Sequence, residues 1–161
     1  MNEEQKKVYL AWLKDAHAME LGLVSVLEKQ IEDFEDEEEA SAKLREHLEQ
    51  TKKHAQLVEE CITRNGGEPS TVKDWGSKMS AAMQGMGMSF NDDLKVKDAH
   101  ASYAAEQFEI ATYTLIQAAA EEFGDEQTSE ACNAIMEDEI DMANWLMEQL
   151  PNVAQKYLLE L

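Results

Sequence analysis

The stretch LKDAHAMELGLVSVLEKQ at residues 13–30 carries the pattern that decides the fold. Two sets of residues in and beside it recur at intervals of seven: Leu10, His17, Val24 and Ile31, and Leu13, Glu20, Leu27 and Phe34. Because residues seven apart lie on the same side of an α-helix, these sets form two adjacent stripes of one long amphipathic helix. We therefore predict a helix over about residues 3–34, with this side facing a core.

Stripes with the same spacing predict three more long helices, over about residues 38–64, 91–124 and 125–150. The sequence Asn-Gly-Gly at 65–67 stops the second helix, because glycine readily ends a helix. Asn91 is a residue type that caps helix N-termini and is expected to begin the third helix, which ends near Gly124.

The connection between the second and third helices has about 25 residues and can cross the full length of a bundle. We expect a short helix from Ser70 within it, and a short helical tail that opens at Pro151. The other turns are short, so helices one and two, and helices three and four, are antiparallel, while helices two and three run the same way. The predicted fold is all-α, a ferritin-like four-helix bundle with one crossover. We expect residues 1–161 to form a single domain.

Composition narrows the classes of partner. The chain has 161 residues, with 34 acidic against 14 basic side chains and a net charge of −20. A surface this negative repels the phosphate backbones of nucleic acids and the surfaces of anionic lipids. We therefore expect neither nucleic acid nor membrane as a partner. The N-terminal residues do not follow the order of a signal peptide, and Cys61 and Cys132 form no disulfide framework. The expected location is the cytoplasm.

Charged residues interrupt the apolar stripes of three helices. Glu20, Glu106 and Glu139 each stand seven residues from stripe residues on both sides. On the second helix His47 and His54 lie along one edge of the apolar face, where either could also face solvent. Glu20 and the midpoint between the two histidines both lie roughly 20 Å from the turn that joins their helices, at 1.5 Å rise per residue. The polar groups are thus expected at one level of the bundle.

Several carboxylates buried at one level need a compensating positive charge, because an unpaired buried carboxylate is costly. The two arginines, Arg45 and Arg64, lie near the ends of the second helix and cannot supply it. Oxygen ligands with one or two imidazoles suit iron, manganese or zinc, so we predict one or two such ions. The predicted metal ligands are Glu20, His47, His54, Glu106, Glu109 and Glu139.

The chain resembles the YciE/YciF family of bacterial ferritin-like proteins. The resemblance is carried by residues 13–30 quoted above, EHLEQTKKH (46–54), ASYAAEQFEIATY (101–113), MEDEIDMANWL (136–146), LP (150–151) and YL (157–158). It implies a ferritin-like bundle that forms a homodimer, a dinuclear metal site and a link to bacterial stress responses. It also implies that Glu20, His47, Glu106, Glu109 and Glu139 match positions where the family keeps polar or acidic groups.

Ferritin-like di-iron enzymes usually carry the motif Glu-x-x-His on the second and fourth helices, and the resemblance leads us to expect it here. The chain departs from this motif at two positions. The second helix has Thr51-x-x-His54, with Gln50 where relatives often carry an acid, and the fourth has Glu139-x-x-Met142. These departures predict a metal site that is incomplete, weak or vestigial.

The leading functional hypothesis is a ferritin-like protein that binds metal in mid-bundle and, with iron, reacts with oxygen or peroxide. Whether the protein is an enzyme is left open. The alternative is a metal-free helical scaffold or interaction protein whose polar groups form a hydrogen-bonded network that fixes helix register. Storage of iron in a hollow shell is less favoured, because no nucleation patch is recognisable.

Overall fold

The computed structural model describes residues 1–69 and 94–161, except for the side chain of Leu94. The described residues form four helices and no strand: α1 Glu3–Asp33, α2 Glu38–Arg64, α3 Leu94–Phe123 and α4 Glu126–Leu159. The bounds of α1 and α2 agree with the predicted ones to within a residue. The predicted short helix from Ser70 and the predicted N-cap at Asn91 lie outside the described residues.

The helix ends follow local sequence signals. Asn2 accepts a hydrogen bond from the backbone N–H of Gln5, and the Gln5 side chain bonds the Asn2 backbone in return, which is a capping box. Gly124 ends α3 with a φ of 69°, a left-handed conformation that glycine adopts without a steric penalty. Asp125 then caps α4 by accepting from the backbone N–H of Thr128.

Contacts at the two ends of the bundle establish the direction of each helix. At one end Asp125, at the start of α4, accepts hydrogen bonds from Tyr9 near the start of α1 (3.1 Å) and from Asn65 just after α2 (2.8 Å). At the other end Gln30 of α1 donates to Ser102 of α3 at 2.8 Å. Helices α2 and α3 therefore run the same way, as predicted for a bundle with one crossover. Helix α1 packs mainly on α2, and α3 packs mainly on α4.

The core consists of two apolar clusters separated along the bundle axis. The cluster nearer Asp125 is built from residues that include Tyr9, Leu13, Met19, Val58, Ile62, Tyr113, Ile116, Cys132 and Ile135. The cluster at the opposite end contains Leu27, Ile31, Leu44, Leu48, Met142 and Leu146. In sequence, His54, Glu106, Glu109 and Glu139 fall between these two sets, and Glu20 and His47 lie at their inner borders, so the polar layer lies where the two clusters meet.

The prediction that the fourth helix ends at residue 150 and that a separate tail begins at Pro151 is wrong. Helix α4 continues through Pro151 to Leu159. Proline lacks the N–H that would bond the carbonyl of Met147, but Pro151 and Met147 are both exposed, so water can take that bond. Val153 and Tyr157 are half-buried. The predicted tail is thus the last part of α4.

None of the described helices combines the length and the apolar character that crossing a membrane requires.

Candidate metal centre

All six predicted ligand residues meet in the polar layer between the two apolar clusters. They are Glu20 from α1, His47 and His54 from α2, Glu106 and Glu109 from α3, and Glu139 from α4. None is more than 4% exposed. For the two histidines, the alternative of an edge position facing solvent is wrong: His47 and His54 are 2% and 1% exposed.

The donor atoms form two groups that share one carboxylate. In the first group, Nδ1 of His54 lies 2.8 Å from Oε1 of Glu139 and 3.9 Å from Oε2 of Glu20. In the second, Nε2 of His47 lies 3.3 Å from Oε1 of Glu106 and 3.6 Å from Oε2 of Glu139. The two oxygens of Glu139 therefore face different histidines, one in each group.

Many of these atoms have no hydrogen-bond partner although they are buried. The unpartnered atoms are Oε2 of Glu20, Oε2 of Glu106, Oε2 of Glu109, both carboxylate oxygens of Glu139, and Nδ1 of His54. Even the 2.8 Å contact between His54 and Glu139 lacks the alignment of a hydrogen bond. Buried polar groups are almost always satisfied, so a cluster of unsatisfied ones indicates a missing partner.

The spacing of the donor atoms suits a cation as that partner. Metal–ligand bonds to nitrogen and oxygen are about 2.1 Å long, which places neighbouring ligand atoms about 3.0–3.4 Å apart in octahedral or tetrahedral geometry. The distances from the histidine nitrogens to the carboxylate oxygens bracket this range. The residues present thus fit one or two divalent ions, which the two donor groups would hold, with Glu139 contributing one oxygen to each group.

In the metal-free protein, burial and neighbouring charges shift the pKa values of the site residues, so that several of the carboxylates hold protons. Burial raises the pKa of Glu20 to about 8 and that of Glu106 to about 7. Burial and the neighbouring carboxylates raise the pKa of Glu109 well above its ordinary value. Burial alone would lower the pKa of His47, but Glu106 and Glu139 raise it to about 9. For Glu139 burial is likewise outweighed, because its close contacts with His54 and Glu106 and the charge of both histidines lower its pKa.

Tyr113 fixes the orientation of Glu20. Its side chain is fully buried, and its hydroxyl donates a hydrogen bond to Oε1 of Glu20. Burial and the charge of Glu20 raise the pKa of Tyr113 well above its ordinary value, so the phenol keeps its proton. The second oxygen of Glu20 is left facing His54.

The structure also accounts for the two departures from the Glu-x-x-His pattern. Met142 packs in the apolar cluster at the far side of the layer, and the Thr51 hydroxyl donates to the backbone carbonyl of His47 at 2.9 Å. Neither belongs to either donor group. Both imidazoles of the two donor groups come from α2, and α4 contributes the carboxylate of Glu139.

Two residues beside the site were not assigned a role from the sequence. Asp138 and Gln50 hydrogen-bond to each other at 2.9 Å, and each contacts one of the two histidines. Asp138 directly precedes Glu139, and Gln50 lies one turn after His47. Their closeness in sequence to the predicted ligands was the only signal that could have pointed to these two residues. Whether they contact each other depends on how α2 packs against α4.

The chain is similar to a known protein family and to proteins of known structure. Residues 4–159 match the family described as "Domain of unknown function (DUF892)". A protein of Xanthomonas campestris pv. campestris, known from its crystal structure, is similar with a TM-score of 0.83 and 28% identity, over 97% of each chain. A Desulfovibrio desulfuricans bacterioferritin, whose structure is described for its diiron site in different catalytic states, is similar with a TM-score of 0.75 and 22% identity, over 99% of this chain and 90% of that one. The predicted ferritin-like four-helix bundle is thereby confirmed.

Proposed function

The chain belongs to the DUF892 family, and from this premise we propose that it is a single-domain, ferritin-like protein that binds two metal ions in mid-bundle. One ion would be held by Glu20, His54 and Glu139, and the other by His47, Glu106 and Glu139. Glu109 would complete the ligand set as a bridging or neighbouring carboxylate. The donor set of carboxylates with one imidazole per ion suits iron first, and manganese or zinc as alternatives.

The observation that carries this proposal is the set of unpartnered buried oxygens and nitrogen, which converge from four helices on two points. A hydrogen-bonded polar core, as the scaffold hypothesis requires, would satisfy these atoms within the protein. The bacterioferritin with the similar fold, described with a diiron site, adds support for iron.

The chain's own residues define what such a site can do. An iron pair bound there would supply one-electron chemistry towards oxygen or peroxide, and we propose an oxidase or ferroxidase type of reaction. The two apolar clusters exclude water from both sides of the layer. Tyr113 holds Glu20 in place, and the raised pKa values of Glu20, Glu106 and Glu109 mean that these carboxylates give up protons when a cation enters.

The test is an anaerobic titration of the metal-free protein with Fe(II) or Zn(II), followed for Fe(II) by oxygen. We expect two ions per chain and, with iron, an absorbance change on oxidation. Glu106→Ala should lower the stoichiometry and remove the absorbance change. Glu60→Ala removes an exposed carboxylate of α2 and is the control for loose binding to the acidic surface. A wild-type protein that binds neither Fe(II) nor Zn(II) above the surface background would favour the metal-free scaffold instead.

We also propose that the protein forms a homodimer through the outer side of α1 and α3. Trp12 and Leu115 line one groove there and are 43% and 64% exposed, and Phe108 on α3 is 58% exposed. Large apolar groups left exposed together mark interaction surfaces. We expect Leu115→Glu to convert the dimer to a monomer in sedimentation equilibrium, whereas Leu159→Glu at the end of α4 should not. A monomeric wild-type protein would contradict the proposal.

The cytoplasm is the proposed location, because Cys61 and Cys132 are both free thiols, which fits a reducing compartment. The relationship to YciE/YciF proteins and the link to bacterial stress responses stay predictions from the resemblance.

A further inference from the structure

A chain of hydrogen bonds links the two buried imidazoles through one carboxylate at the edge of the bundle. Oδ2 of Asp138 lies 3.0 Å from Nε2 of His54. Oδ1 of the same carboxylate accepts from the side-chain amide of Gln50 at 2.9 Å. Oε1 of Gln50 lies 3.3 Å from Nδ1 of His47. The Asp138 side chain is 33% exposed and Gln50 is also half-buried, whereas both imidazoles are buried, so these two residues form the solvent-facing edge of the series.

For each hydrogen bond in this series, the donor and the acceptor can be assigned in only one way. An ionised carboxylate only accepts hydrogen bonds, so Nε2 of His54 carries a proton. In the neutral ring, the form that binds a metal, Nδ1 of His54 then presents a lone pair. The amide nitrogen of Gln50 must face Asp138, because the reverse orientation would place its oxygen against the carboxylate. The amide oxygen of Gln50 therefore faces His47, whose Nδ1 carries a proton and whose Nε2 presents a lone pair.

These lone pairs are the ones that point into the two donor groups. Nδ1 of His54 faces Glu139 and Glu20, and Nε2 of His47 faces Glu106 and Glu139. The two histidines thus offer opposite ring nitrogens, although both come from α2. Outer partners of this kind set the tautomer and ring orientation of histidine ligands.

We propose that Asp138 is a common anchor that selects the ligating nitrogen of both histidines, directly for His54 and through Gln50 for His47. Asp138 and Gln50 are positioning residues, because neither belongs to the donor groups. The inference rests on the proposed function and adds that the two ion positions depend on a single outer carboxylate. A purely structural role, as a tie between α2 and α4, would leave the choice of nitrogen unchanged.

The experiment uses protein labelled with ¹⁵N in histidine and loaded with Zn(II), which is diamagnetic. The chain has only four histidines, so the ring nitrogens can be assigned by NMR. In the wild type we expect Nδ1 of His54 and Nε2 of His47 to bind the metal. Asp138→Ala should disturb both rings, whereas Gln50→Ala should disturb His47 and leave His54 as it is. Zn(II) affinity should fall about 10- to 100-fold in Asp138→Ala.

Asp138→Asn is a near-isosteric variant that tests the relay without removing the side chain. Its amide oxygen can still accept from His54, but its amide nitrogen faces Gln50 and forces that side chain to turn over. Gln50 would then donate to Nδ1 of His47, so only His47 should change its tautomer or lose its metal. Asp141→Ala, an exposed carboxylate one turn further along α4, is the control and should change neither ring.

The outcomes separate the two proposals. A wild-type protein that binds no Zn(II) contradicts the proposed function, and the tautomers are then read in the metal-free protein at a pH where the ¹⁵N shifts show both rings to be neutral. Wild-type binding with both rings unchanged in Asp138→Ala, or with only His54 changed, overturns the common anchor and leaves the proposed function standing.

Discussion

Replacing Glu139 with glutamine is expected to abolish binding of both metal ions. The two carboxylate oxygens of Glu139 face the two histidines, so this residue alone belongs to both donor groups. An amide keeps the shape of the side chain but offers one weakly basic oxygen and one N–H₂ group, which cannot bind a cation. We expect the affinity at both positions to fall by at least about 100-fold, the upper end of the loss caused by removing an outer partner alone.

Two comparisons make this prediction specific. Glu20→Gln and Glu106→Gln each alter one donor group, so each should leave about one strongly bound ion per chain. Glu148→Gln, an exposed residue of the same helix as Glu139, should leave both. Equilibrium dialysis with metal analysis measures all four proteins. Retention of one tightly held ion by Glu139→Gln would show that the two groups do not share this ligand.

The metal-free protein is expected to lose stability as the pH rises from about 5 to about 9. The pKa of Glu20 is about 8 in the folded protein and 4.5 in an unfolded chain. Between these values the folded state keeps a proton that the unfolded state releases, so this stabilisation is complete below 4.5 and is lost as the pH rises through 8. Glu106, with a pKa of about 7, and His47, with a pKa raised from 6.5 to about 9, act in the same direction.

The contribution of Glu139 to the stability of the folded protein has the opposite pH dependence, but it changes only at acidic pH. Its pKa is lowered in the folded protein, so its contribution is present above the ordinary value of 4.5 and is lost as the pH falls below it. The metal-free protein should therefore be most stable near pH 5, at the acidic end of the range of about pH 5 to 8 in which proteins are usually most stable.

Metal should reverse the pH dependence, because cations bind to the deprotonated ligands. At a free metal concentration 1,000 times the dissociation constant, one site adds about 4 kcal/mol to the free energy of unfolding. For a chain of this length that corresponds to a rise in the melting temperature of roughly 10 °C. Calorimetry with Zn(II) and with chelator, from about pH 5 to 9, measures the difference. A chelated protein whose stability rises over this interval would contradict the argument, and Glu20→Gln should flatten the decline.

The spacing of residues along the sequence was sufficient to predict the four-helix architecture and the presence of a polar layer in the core. Stripes seven residues apart predicted the helices, and the Asn-Gly-Gly stop at 65–67 predicted the end of α2. A constant rise of 1.5 Å per residue then put Glu20, Glu106 and Glu139 at one level. These inferences succeeded because helical geometry converts sequence distance into height and face without reference to the neighbouring helices.

Tertiary packing decided the composition of the site. Spacing left His47 and His54 at the edge of a face, and the rotation of α2 between α1 and α4 buried both. The same packing brought His47 beside Glu106 and Glu139, and Gln50 against Asp138, 88 residues away. Each outcome depends on the angle of a helix about its own axis, which is set by side chains on other helices and not by the spacing within it.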